Sequence, residues 1–123
     1  QLNFKCLVTT IQEIHQDLVS HAGRAVNISL TLRNWLIGCY ISEYQLHGVD
    51  RAGYGEQLLT RLAQQLKGIS NCNRRQLYRY LRFYRLYPQI VGTLPPQFQN
   101  HLPQNLRNQK VGTSPQFKIS PST

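Results

Sequence analysis

The sequence predicts an all-α fold, and two observations carry that prediction. Apolar residues recur at steps of three and four through most of the chain up to Val91, the spacing of helices that bury one face. Glycine, asparagine and proline stand where those periods stop, as helix ends require.

Phe4, Leu7, Ile11, Ile14 and Leu18 define a first helix over about residues 4–21, ending near Gly23. Val26, Ile28, Leu32, Trp35, Cys39 and Ile41 define a second over about 24–47. It is apolar around much of its surface near Trp35, hence central. Gly38 lowers helix propensity there, which predicts a close helix–helix crossing. A buried strand at Trp35–Ile41 is the competing reading, and the upstream periodicity favours helix.

Gly48, Asp50 and Gly53 punctuate a turn. Leu58, Leu59, Leu62 and Leu66 mark a third helix over about 54–67, with Gly68 placed to stop it. Asn73 can cap a fourth helix, and Gln76, three residues on, completes a capping-box pattern. That helix runs to about Tyr87, before Pro88.

After Val91 the composition changes. Five of the six prolines lie between Pro95 and Pro121, among Gln, Asn, Ser and Thr, and the apolar residues read as scattered. The prediction is therefore a small four-helix domain with a helix-turn-helix-like pair over residues 1–91, then an irregular Pro/Gln/Ser-rich linker or tail over 92–123. There is no internal repeat.

A chain of 123 residues with 41% hydrophobic content supports one modest core. Its formal charge of +9 is unevenly placed. All five acids, Glu13, Asp17, Glu43, Asp50 and Glu56, lie in the first 56 residues, with Lys5, Arg24, Arg33 and Arg51. From Gln57 onward there are ten Lys/Arg and no acid. One near-neutral half joined to one cationic half suits a polyanion, because several phosphates are neutralised together and their counterions released.

Cys6, Cys39 and Cys72 form neither a CxxC pair nor a disulfide framework, which points to a reducing, cytoplasmic setting. The longest apolar run, Trp35–Ile41, is too short to span a bilayer, so no membrane partner is expected. A start at Gln1 and the absence of methionine lead us to expect a piece of a longer protein.

The third and fourth helices, joined by a short turn containing Gly68, have the outline of a helix-turn-helix. The second helix of that motif enters the major groove. Here, at about 100° per residue, Arg74, Arg75, Arg79, Arg82 and Arg85 fall within an arc of roughly 140°. Leu77, Tyr80, Leu81 and Tyr84 take the opposite side. Arginine grips two phosphate oxygens or the O6/N7 edge of guanine, and it stays charged. A solvated charge face normally carries acids at i±4 to pair with its cations, and this helix has none.

Tyr78 lies nearest the arginines and is the tyrosine best placed for nucleic-acid contact, whereas Tyr80 and Tyr84 belong to the core side. The expected contact set is Arg74, Arg75, Arg79 and Arg82, with Asn73 and Gln76 as base readers and Arg61, Lys67 and Arg85 as supporting phosphate contacts. The expected partner is nucleic acid, duplex DNA first. RNA binding and a protein-interaction or homo-oligomeric role, through the apolar helix around Trp35, stand as alternatives.

Catalytic patterns are poor. Glu13 and Asp17 share a helix face at i, i+4 and read as solvated. His15, His21, His47 and His101 lack metal-type spacing, and each reads as a lone surface or helix-end histidine. Gly53-Tyr54-Gly55 is too weak for a phosphate cradle. No catalytic residue, metal, cofactor or small-molecule substrate is expected.

The stretch from about Val26 to Ile90 resembles the N-terminal domain of the YhcG-like proteins, bacterial proteins in which a helical domain precedes a PD-(D/E)xK-type nuclease domain. The matching residues are Asn27, Trp35-Leu-Ile-Gly38, Ile41 and Glu43, then Gly48 and Arg51-Ala-Gly-Tyr54-Gly55. Leu59, Leu62 and Leu66 follow, then Leu77, Phe83-Tyr84 and Tyr87-Pro88-Gln89-Ile90. The resemblance implies a helix-turn-helix-like module that binds DNA and delivers it to the nuclease. Asn73 stands where the family commonly has a serine cap, which preserves the capping chemistry. The nuclease half is missing from this chain, so the resemblance assigns no cleavage activity to these residues.

Overall fold

The first helix, α1, spans Phe4–Ser20 in the computed structural model, which describes residues 2–20, 26–48, 50 and 55–111. The expected stop near Gly23, the Gly53–Tyr54 turn, His21, Arg51 and the stretch 112–123 lie outside the described residues. Asn3 starts α1 by accepting from the Cys6 amide at 2.8 Å. The Asp50 carboxylate, distant in sequence, accepts from the Phe4 amide at 2.9 Å and from the Tyr44 hydroxyl at 2.8 Å. An anion there complements the positive end of the helix dipole. Leu7, Ile11, Ile14 and Leu18 are all fully buried, as their spacing predicts.

Helix α2 spans Val26–His47, and the competing strand at Trp35–Ile41 is not formed. Residues Trp35 to Cys39 are buried on every side of the helix, so α2 is the central element. Ile28, however, is exposed, while Ser29, Leu32 and Leu36 take the inward positions one and two turns along. Helices α1 and α4 (Arg74–Leu86) both pack on α2, and α3 (Gly55–Gln65) packs on α4. Gly38 sits at the α2–α4 crossing. A Cβ added there would lie inside the Tyr80 carbonyl group and 3.1 Å from Leu81 N, so the two backbones touch.

By its internal packing the chain divides into two units, one ending at Tyr87 and the other beginning at Pro88. In the described part of the expected irregular tail, residues 92–111, most of the chain is instead helical. Pro88–Thr93 and Pro96–His101 form 3-10 segments, and Gln104–Val111 forms a helix, α5. The prolines start these turns instead of breaking them, because a first-turn residue needs no N–H donor. The Pro103 carbonyl accepts from the Leu106 and Arg107 amides at 3.0 Å. Leu94, Phe98 and Leu102 recur every four residues and are buried, a period the reading of this stretch as scattered overlooked. Arg107 bonds to the Leu102 and Asn100 carbonyls and so pins α5 to the preceding turn.

Candidate nucleic-acid interface

The capping box predicted at the start of α4 is formed. Asn73 Oδ1 accepts from the Gln76 amide at 2.8 Å, and Gln76 Oε1 accepts from the Asn73 amide at 3.2 Å. Gln76 Nε2 then donates to Asn71 Oδ1 at 3.1 Å. The polar ends that would read bases at these two positions are therefore largely spent on the cap. Asn73→Ala is expected to cost about 1 kcal/mol of stability. A thermal melt checks this, and an unchanged midpoint would show that the box carries no weight.

Leu77, Tyr80 and Leu81 face inward from α4, and the half-buried Tyr84 meets Trp35 edge-on at 5.2 Å between ring centroids. Burial pushes the Tyr84 hydroxyl up to about 12. The fully buried Trp35 donates from Nε1 to the Tyr87 carbonyl at 2.9 Å, which ties the last turn of α4 to α2. The Tyr87 amide closes the helix on the Phe83 carbonyl at 3.0 Å.

The outward side carries Arg74, Arg75, Tyr78, Arg79, Arg82 and Arg85, all exposed, with Tyr78 at 48%. Among the described residues, Arg75, Arg79 and Arg82 make no intramolecular hydrogen bond. Arg85 differs, because it donates to Gln45 Oε1 of α2 at 2.8 Å. Lys67 and Arg74 come together at a depression of about 510 Å³ between α3 and the start of α4, bordered also by Thr60, Gln64, Asn71 and Gln76. Arg61 instead lies over the Phe4 ring of α1, 5.0 Å from its centroid.

The connection between α3 and α4 departs from the expected short turn. Helix α3 ends at Gln65 and α4 begins at Arg74, a longer link than the roughly 3–4 residues of the simple motif. Leu66 N is shared between the Leu62 and Ala63 carbonyls, and Ile69 N returns to the Leu66 carbonyl. Gly68 does not supply the left-handed residue that a glycine stop implies; the left-handed residue of the connection is Asn71, with φ of 62°, two residues before the Asn73 cap. Asparagine tolerates that region, whereas a β-branched residue pays roughly 1–2 kcal/mol. Asn71→Val should therefore lower the melting temperature, while Gly68→Ala, whose Cβ meets open space, should leave it unchanged. A larger loss at Gly68 than at Asn71 would contradict this.

Two residues that sequence reasoning passed over stand behind the connection. Arg33 of α2 is only 2% exposed. Its Nε and Nη2 donate to Asn34 Oδ1 at 3.0 and 2.8 Å, and its Nη1 meets His15 Nδ1 at 2.8 Å. It also donates to the Ser70 carbonyl at 3.4 Å and the Tyr80 hydroxyl at 3.3 Å. Tyr80 passes the chain on, donating to the Asn71 carbonyl at 2.6 Å. His15 is thus a half-buried partner of Arg33, not a lone surface histidine. The sequence signal was a charge two residues from Trp35 in the helix that is apolar around much of its surface there.

Among the described residues, no group of three His, Cys, Asp or Glu could hold a metal ion, and no helix is long and apolar enough to cross a membrane. No curated protein and no solved structure matches the chain. A family model described as the DUF1016 N-terminal domain matches residues 8–107, so that it takes in all of α2, α3 and α4 and part of α5. By that match, over most of its length, the chain belongs to the DUF1016 N-terminal domain family, the N-terminal domain of YhcG-like proteins.

Proposed function

We propose that the chain is a non-catalytic module of a larger nuclease-type bacterial protein, that it works in the cytoplasm, and that it binds duplex DNA through α4. The observation that carries this reading is the outer face of α4. Arg75, Arg79 and Arg82 stand exposed beside Tyr78, in a half of the chain with ten Lys/Arg and no acid. Their mutual repulsion is relieved when phosphates arrive and counterions leave.

The helix is also preorganised. A capping box holds its start and Trp35 its end, so the face is presented without the entropic cost of ordering a loop. A single helix fits the major groove, about 12 Å wide. In this reading Arg75, Tyr78, Arg79 and Arg82 enter the groove, while Lys67 and Arg74 meet a flanking phosphate. Asn73 and Gln76 act through the cap, and Arg61 and Arg85 contribute only on leaving Phe4 and Gln45. The non-catalytic part of the reading rests on the matched family being an N-terminal domain. The cytoplasmic part rests on three free cysteines, one of them exposed.

Titration of the chain with duplex DNA, single-stranded DNA and structured RNA across a salt series tests the proposal. The expected result is tightest binding to duplex, falling steeply with salt. Tighter binding to structured RNA would move the assignment to RNA, and salt-insensitive binding would remove α4 from it.

A further inference from the structure

A guanidinium group only donates hydrogen bonds, so Arg33 dictates the state of everything that faces it. His15 Nδ1, 2.8 Å away, must carry a lone pair, which makes the ring neutral and puts its proton on Nε2. The other acceptors, Asn34 Oδ1, the Ser70 carbonyl and the Tyr80 hydroxyl, are neutral too. Among the described residues no carboxylate balances this buried cation. Arginine cannot shed its proton to escape, so a second positive charge at contact distance is strongly felt in the poorly solvated interior. The far end of the network is the Ser70–Asn71 part of the connection and Tyr80 of α4, which together set where α4 begins.

We propose that Arg33 is a positioning residue for α4 and that protonation of His15 breaks its hold, so that the grip on nucleic acid weakens in mildly acidic solution. The inference rests on the reading of α4 as the binding helix. Once protonated, His15 turns an N–H toward the Arg33 N–H groups, and donor faces donor and cation faces cation. The ring has an exit in a depression of about 500 Å³ between α1 and the connection, bordered by Gln12, Gln16, Gln65, Gly68 and Ile69. Arg33 then loses an acceptor, and the same guanidinium orders Ser70 and Tyr80.

Burial, and secondly the Arg33 charge, hold the His15 pKa below its ordinary 6.5. The unfolded chain therefore takes up this proton more readily than the folded one. The stability contribution is complete above 6.5 and is lost as pH falls from there through the lowered value. The other titratable groups facing the pair are Tyr80 from α4 and Cys72 from the connection, both pushed up by burial and so neutral in this range. From α3, Gln65 carries no charge, and on α1 Glu13 and Asp17 lie roughly 200° around the helix from His15. The sign opposes the generic trend, since protonating exposed histidines adds positive charge and tightens binding to a polyanion.

The test is a pH titration of the whole chain followed by NMR, with duplex affinity measured at fixed salt on the same samples, for the wild type and His15→Asn. Asparagine keeps an oxygen near the Nδ1 position and cannot titrate there. The Ser70–Asn73 amide shifts should follow the midpoint of the His15 ring. Wild-type duplex affinity should fall by roughly threefold or more below that midpoint, as the fraction of chains with α4 held ready falls. His15→Asn should stay flat or tighten. Amides that ignore the His15 titration would overturn the proposal whether or not the chain binds DNA, and so would an equal loss of affinity in His15→Asn. A chain that binds no duplex at any pH would sink the reading of α4, and with it the weakened grip. Coupled shifts in that same sample would still uphold the Arg33–His15 tie.

Discussion

Replacing Arg75 and Arg79 together with alanine is expected to lower duplex affinity on the order of 100-fold, since each such arginine contributes about 1–3 kcal/mol when it meets a base edge or phosphate. Two lost phosphate contacts should also reduce the salt dependence, by about 0.9 in the logarithmic slope for each. The fold should not notice. Both side chains are exposed and, among the described residues, bond to nothing in the chain. The stability change should stay within roughly 0.5 kcal/mol. The matching Arg→Lys pair separates two kinds of contact. Lysine restores the salt slope if the arginines meet phosphates, but it does not restore affinity where the planar fork reads a guanine edge. A double alanine variant that binds duplex as the wild type does would exclude this face of α4.

Gly38→Ala is expected to destabilise the domain, although alanine is the better helix former. Its Cβ would fall within the Tyr80 backbone carbonyl, where no rotamer change can make room. Overpacking of this kind costs about 3 kcal/mol at the upper end of the usual range, and the propensity gain returns only about 1 kcal/mol. The net loss of roughly 2 kcal/mol corresponds to a melting temperature lower by about 8–16 °C. Leucine at the same position should prevent α4 from docking. A melting temperature equal to or above the wild type would mean that α2 and α4 do not cross here.

Both expectations come from features legible in the sequence, and the reason is the same for each. Helical period is a local property, so Leu77, Tyr80 and Leu81 point inward and the arginines outward whatever α4 packs against. The Asn73–Gln76 box joins residues three apart and needs no third element. Gly38 was readable as a crossing point because little else justifies glycine in the middle of a long apolar helix.

The cap itself also shows where such reading stops. Asn73 and Gln76 were expected to cap and to read bases, yet a side-chain atom already bonded within the helix start is not available to do both. In the second unit, counting prolines concealed the spacing of Leu94, Phe98 and Leu102. Proline at a first turn and proline inside a helix look alike in composition and act in opposite ways.

The sequence by itself determined four helices, the arginine face of α4, its cap and the glycine contact, because each depends on neighbours within one or two turns. Only the tertiary structure decided that Arg33 is buried, that His15 faces it, that Asp50 serves the start of α1 and that Asn71, not Gly68, takes the left-handed turn. Those choices are made by residues far apart in the chain. A polar group stays in the core only where another helix happens to bring it a partner, and periodicity carries no record of which helix that will be.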